Sequence, residues 1–233
     1  MRKIFFIITI SFFLPTLVWA KIPNDPGVQQ WAYKDTGVYN AWNYFVGSSE
    51  VVVAIIDNGF DTLHPDLRDN LWINKKEIKN NGIDDDRNGY VDDVYGWNFL
   101  DDNNDPRPSV STLSDNKETG VIFNHGTIVA GIIGAVGNNN EAIAGINWRV
   151  KLMNLKVVGN EGTGSMFNLP EAIYYAVDNG ADVINISMVG DDDDGEVTEA
   201  VKYAYDRGVV VVAAAGNNYY YLNDSPLYPV CSD

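Results

Sequence analysis

The chain has 233 residues, 16 basic and 32 acidic, for a formal charge of −16 at pH 7. A balance so acidic argues against nucleic acid and anionic membrane surfaces as partners. A single cysteine, Cys231, excludes an intramolecular disulfide, and the length suits one domain with a substantial core.

Residues 1–20 have the layout of a signal peptide. Arg2 and Lys3 precede the apolar run Ile4 to Leu14, and Val18-Trp19-Ala20 supplies the small residues of a cleavage site. The run is shorter than the roughly 20 residues of a membrane span, and Pro15 interrupts it. Cleavage after Ala20 and a secreted or otherwise exported product are therefore expected, with no membrane association afterwards. The mature chain would carry 14 basic and 32 acidic residues, a charge of −18.

Asn24 to Trp42 reads as an initial strand and a first helix. Four apolar runs then stand out: Val51 to Ile56, Lys151 to Val157, Asp182 to Ile186 and Val209 to Ala215. Their near-continuous apolar character predicts strands buried on both faces. Helical spacing marks Thr127 to Val136, Leu169 to Val177 and Val197 to Tyr205, the last two followed by the C′ glycines Gly180 and Gly208. Asp101 to Glu118 is expected to be a long surface loop. Alternating strands and helices predict an α/β fold with a parallel sheet between helices. Asp57, Ser187 and Gly216-Asn217 would fall together at the strand C-termini, where sites in such sheets gather.

The chain has two histidines, His64 and His125, so a general base is sought there first. His125 sits in the first turn of a helix, whose N-terminus disfavours imidazolium, so a carboxylate partner is needed. Asp57 ends an apolar strand, where an unengaged carboxylate is costly. Taken singly, each residue is equally a turn or capping residue. His64, before Pro65, reads as a turn residue.

Taken together, the segments resemble the subtilisin-like serine peptidases, the subtilases. Val53-Ala54-Ile55-Ile56-Asp57-Asn58-Gly59-Phe60-Asp61, with His64-Pro65-Asp66-Leu67, is similar to the family's aspartate block. His125-Gly126-Thr127-Ile128-Val129-Ala130-Gly131 resembles its histidine block. Val211 to Asn217 resembles its oxyanion-hole segment, and Asp182 to Ser187 its specificity-pocket strand. The blocks occur in the family's order. The resemblance implies a three-layer subtilisin-like fold in which Asp57 orients His125, His125 moves the proton of a serine, and Asn217 donates to the oxyanion. A polypeptide substrate would lie as an extended strand along Gly162, Gly164 and Ser165, with Ser187, Met188 and Val189 at its primary pocket.

There are departures from the family. Asn58 stands where Ser or Thr is usual, and Val189 would narrow the pocket. The Gly-Thr-Ser-Met-Ala type segment that carries the nucleophile is absent from the sixteen residues after Asn217. Gly162 to Met166 is a superficial likeness that precedes the oxyanion segment. Residues 21–233 are thus expected to be the N-terminal portion of a subtilase catalytic domain, inactive as written. The alternative is a non-catalytic secreted remnant, or a calcium- or peptide-binding module.

The acidic segment Asp84-x-Asp86-x-Asn88-Gly89-Tyr90-x-Asp92 spaces its oxygens like the first nine positions of an EF-hand loop, Tyr90 offering its carbonyl. Tyr95 stands at position 12, so a standard EF-hand is not supported. Structural Ca2+ is expected at Asp84, Asp86, Asn88, Tyr90 and Asp92. A weaker expectation places Asp66 beside Asn138 to Asn140 in a second site.

Overall fold

The computed structural model describes residues 21–108, 124–159, 164, 166–191, 195–217, 219 and 221–232. The signal segment, residues 109–118 of the expected loop, Gly162, Ser165 and Asp192 to Asp194 lie outside these residues. The described elements are α1 (Trp31–Asp35), α2 (Val38–Ala41), β1 (Gly47–Asp57), β2 (Gly96–Asn98), α3 (His125–Gly134), β3 (Arg149–Lys156), α4 (Asn168–Asp178), β4 (Val183–Ile186), α5 (Glu196–Asp206) and β5 (Val210–Ala213). A 3-10 turn spans Arg68–Asn70. The strands form one sheet in the order β2-β3-β1-β4-β5, with every neighbouring pair parallel.

Strand alternation produces the three layers. In β1, Val53 and Ile55 face a cluster that includes Ala130 of α3, with Val150 and Leu152 of β3. Ala54 and Ile56 face the opposite cluster, built from α4 (Leu169, Ile173, Ala176) and α5 (Val197, Ala200, Ala204). Ile55 and Ile56 are wholly buried, each contributing about 1.5–3 kcal/mol by removal from water. Gly180 and Gly208 end α4 and α5 at positive φ, as the C′ position requires.

Two expectations need correction. The stretch from Asn24 to Gln30 holds no strand, and α1 and α2 follow it as separate short helices. A hydroxyl bond from Tyr39 to the Val28 carbonyl at 2.7 Å ties this stretch to α2. The second correction concerns β5, whose α3-side face is only partly covered by the described residues. Ile184 and Ile186 are buried under α4 and α5, but Val210 is 56% and Val212 50% exposed. On the α3 side, Val212 and Val183 line an open apolar groove with Phe45, Val51, Val53 and Ile133. The apolar runs report strand-forming residues; they do not report whether a covering layer lies within the described residues. Strand β2, three residues long, has too short a pattern to be seen in the sequence.

Candidate active site

Parallel register aligns Ile56 with Ile186 and Ile186 with Ala213. Asp57, Ser187 and Ala214 therefore leave the sheet along one edge. Asp57 is 3% exposed. His125, the first residue of α3, brings its Nδ1 to 2.7 Å from Asp57 Oδ2. The second carboxylate oxygen accepts the Asn58 N–H at 2.8 Å. Burial pushes the Asp57 carboxyl above its ordinary value; the Asn58 N–H and the His125 ring pull it partly back.

The turn after Asp57 is held from three directions. Asn154, wholly buried in β3, accepts the Phe60 N–H at 3.1 Å and donates to the Phe60 carbonyl at 2.8 Å. Asn58 Oδ1 accepts the Gly126 N–H at 2.9 Å. Thr127 Oγ1 accepts the Asp61 N–H at 3.1 Å. Gly59 has φ +81, and a Cβ there would run into the Pro106 carbonyl, so this position requires glycine. Asn154 was not singled out in the sequence; a lone amide within an apolar strand is the signal that marks it. At the paired end of β3, buried Lys156 places its ammonium 3.6 Å from Asp101. His64 stays in a turn, its Nδ1 accepting the Asp66 N–H at 3.2 Å.

Asn217 lies just past β5 and is exposed. Ser187 accepts from the Asn185 amide at 2.9 Å, and Met188 packs against the α4/α5 core. A Cβ built on Gly216 would lie 3.5 Å from Val189 Cγ2 and 3.0 Å from Leu227 Cδ1, so those two side chains lie against the segment between β5 and Asn217. Gly164 bridges antiparallel to Val158, at the end of β3.

The acidic loop folds around a residue outside the sequence-derived set. Carboxylate oxygens of Glu77, Asp84 and Asp86 all lie within 4.8 Å of one another. Glu77 also accepts the N–H groups of Asp85, Asp86 and Asp92. Asp84 accepts from the Asn88 and Gly89 N–H groups, and Asp92 from those of Asn81 and Gly82. Asn88 donates its amide to Asp93 at 2.8 Å and accepts the Tyr90 N–H. Tyr90 packs on Trp97 and Tyr175 and donates its hydroxyl to Glu171. Wholly buried Asp93 also accepts from Asn74 and from the Tyr175 hydroxyl. Elsewhere, Asp66 meets Asn139 at 2.9 Å, with Asp25 accepting the Asn138 N–H.

A model of the subtilase family matches residues 48–230. Subtilisin-like protease 1 of Plasmodium falciparum is 35% identical over 159 residues, covering 68% of this chain and 21% of that protein. The thermophilic serine proteinase of Bacillus sp. (strain AK1) is 35% identical over 191 residues, covering 81% of this chain and 39% of that protein. The halolysin-like extracellular serine protease Nep of Natrialba magadii is 33% identical over 169 residues, 72% of this chain and 26% of its own. The chain thus spans well under half the length of these relatives. A solved structure described as proteases from Pseudoalteromonas arctica PAMC 21717 superposes with a TM-score of 0.61 at 32% identity, over 84% of this chain and 59% of that one. With a parallel sheet between helices, an aspartate–histidine pair at its C-terminal edge and a family match over most of its length, the chain belongs to the subtilase family.

Proposed function

We propose that residues 21–233 are the N-terminal portion of the catalytic domain of an exported subtilisin-like serine endopeptidase, preceded by a signal peptide at residues 1–20. The observation that carries this reading is the 2.7 Å contact between His125 Nδ1 and Asp57 Oδ2. Asp57 holds the ring in the tautomer whose Nε2 is the base, and stabilises the imidazolium that forms. His125 takes the proton of a serine as its oxygen attacks the scissile carbonyl, then returns it to the leaving amine. The Asn217 amide donates to the oxyanion; loss of the corresponding donor in subtilisin itself costs about 10²–10³-fold in rate. Substrate lies extended along residues 162–165 and 187–189. Val189 narrows its first side-chain pocket.

Export is supported by the layout of residues 1–20 and by the extracellular relative from Natrialba magadii. Among the described residues no helix is long and apolar enough to cross a membrane.

Calcium has a structural role in this reading. Three converging carboxylates suit a hard cation that takes oxygen ligands, and Glu77, Asp84 and Asp86 would hold it. Asn88, Tyr90 and Asp92 then shape the loop around them, the Tyr90 carbonyl being a further oxygen.

In this reading the nucleophile belongs to a Gly-Thr-Ser type segment that does not occur after Asn217, Ser165 precedes the oxyanion segment, and the 233-residue polypeptide is taken to be inactive. Fluorophosphonate labelling tests this. The chain should stay unlabelled, whereas a longer reading frame encoding a Gly-Thr-Ser segment beyond codon 233 should be labelled and should lose peptidase activity on His125→Ala. Stoichiometric labelling of the 233-residue chain would overturn the assignment. A longer frame without that segment would favour a non-catalytic binding module.

A further inference from the structure

Asp57 and His125 belong to different elements, so their hydrogen bond requires the end of β1 and the start of α3 to be locked together. Asn124, at the N-cap position of α3, makes no side-chain cap hydrogen bond. The first N–H groups of a helix need acceptors from outside it. For Gly126, the second residue of α3, that acceptor is Asn58 Oδ1 at 2.9 Å. Asn58 is wholly buried, and its backbone N–H donates to Asp57 Oδ1 at 2.8 Å. One residue thus grips both partners. A Cβ on Gly126 would run into the Gly59 carbonyl, so the helix start sits directly on residues 58 and 59.

We propose that Asn58 is a positioning residue: a helix cap supplied from the β1 turn, which holds the first turn of α3 against Asp57 and so sets the His125–Asp57 hydrogen bond. The inference rests on reading Asp57 and His125 as the acid–base pair. An Asp carboxylate carries an acceptor oxygen at the same reach as the Asn amide, whereas Ala offers none to the Gly126 N–H. Thr127 Oγ1, which accepts the Asp61 N–H at 3.1 Å, ties the same helical turn without touching Asp57 or His125.

The test is the proton resonance of His125 Nδ1–H in the 15N-histidine-labelled chain, assigned against a His125→Ala spectrum. An imidazole N–H bonded to a carboxylate resonates far downfield and exchanges slowly with water. The parent chain should show it, Asn58→Ala should lose it, and Asn58→Asp should restore it. Thr127→Val, a comparable loss at the same turn, should keep it. Retention in Asn58→Ala at the parent position and exchange rate would overturn the proposal, as would loss in Thr127→Val. Absence from the parent would overturn the reading of the pair, and the inference with it.

Discussion

Asn154 grips the main chain of Phe60 by both of its polar groups: its amide oxygen accepts the Phe60 N–H and its amide nitrogen donates to the Phe60 carbonyl. Asn154 is inside β3 and Phe60 is in the turn after β1, and both are wholly buried. A buried polar side chain among Leu152, Met153 and Leu155 is tolerable because both its groups are satisfied. The pair anchors the turn that begins at Asp57 to the neighbouring strand.

Asn154→Ala should therefore destabilise the chain by about 2–4 kcal/mol, since it leaves a buried N–H and a buried carbonyl without partners. Urea unfolding followed by tryptophan fluorescence measures the change. A loss under about 0.5 kcal/mol, the size of an ordinary surface substitution, would contradict this account of the turn.

Asp57 should give a pH dependence of defined sign. Its carboxyl is raised in the folded state, chiefly by burial, so between its unfolded and folded values the native state binds more protons. Its contribution to stability is present below the unfolded value, about 3.9, and is lost as pH rises through the folded value. Asp57→Asn removes this dependence. Its stability relative to the parent should rise across that window and level off above it. Chemical denaturation at a series of pH values checks this; a relative stability that falls with rising pH contradicts it.

Calcium should raise the melting temperature. Binding to the native state alone adds about 2.7 kcal/mol when the free ion is at 100 times its dissociation constant. Glu77→Gln removes one of three converging carboxylates and should cut the shift by more than half, while Glu50→Gln, in the exposed N-terminal part of β1, should leave it intact. A melting curve unchanged by chelation would remove the calcium assignment.

The exposed valines of β5 should make the chain self-associate. Val210 and Val212 lie on an edge strand, and edge strands with apolar faces pair readily with other chains. Val212→Lys should lower the mean mass in sedimentation velocity without lowering the unfolding midpoint. A parent chain that remains a monomer at high micromolar concentration would contradict this.

Much of the architecture was legible because its causes are local. Val51 to Ile56, Lys151 to Val157 and the helices at 169–177 and 197–205 carry their own periodicity, and Gly180 and Gly208 mark their own helix ends. The Asp57 and His125 blocks were legible for the same reason, each being a short contiguous string. Glu77 was not: it lies seven residues before Asp84, outside any ligand spacing, and joins the cluster only because the loop from Asn74 to Tyr95 folds back on itself. The helix-capping role of Asn58 was equally hidden. In sequence Asn58 is a single substitution in a motif, 68 residues from the N–H it accepts.

By itself the sequence determined the order and type of the principal strands and helices, the family, and the candidacy of Asp57 and His125, because propensity, periodicity and contiguous motifs are properties of neighbouring residues. Tertiary structure alone decided that Asp57 and His125 meet at 2.7 Å, that Asn154 and Asn58 hold the turn between them, and that Glu77 completes the acidic cluster. Hydrogen bonds between distant segments depend on sheet order and helix placement to within a few tenths of an ångström, and no local pattern encodes that.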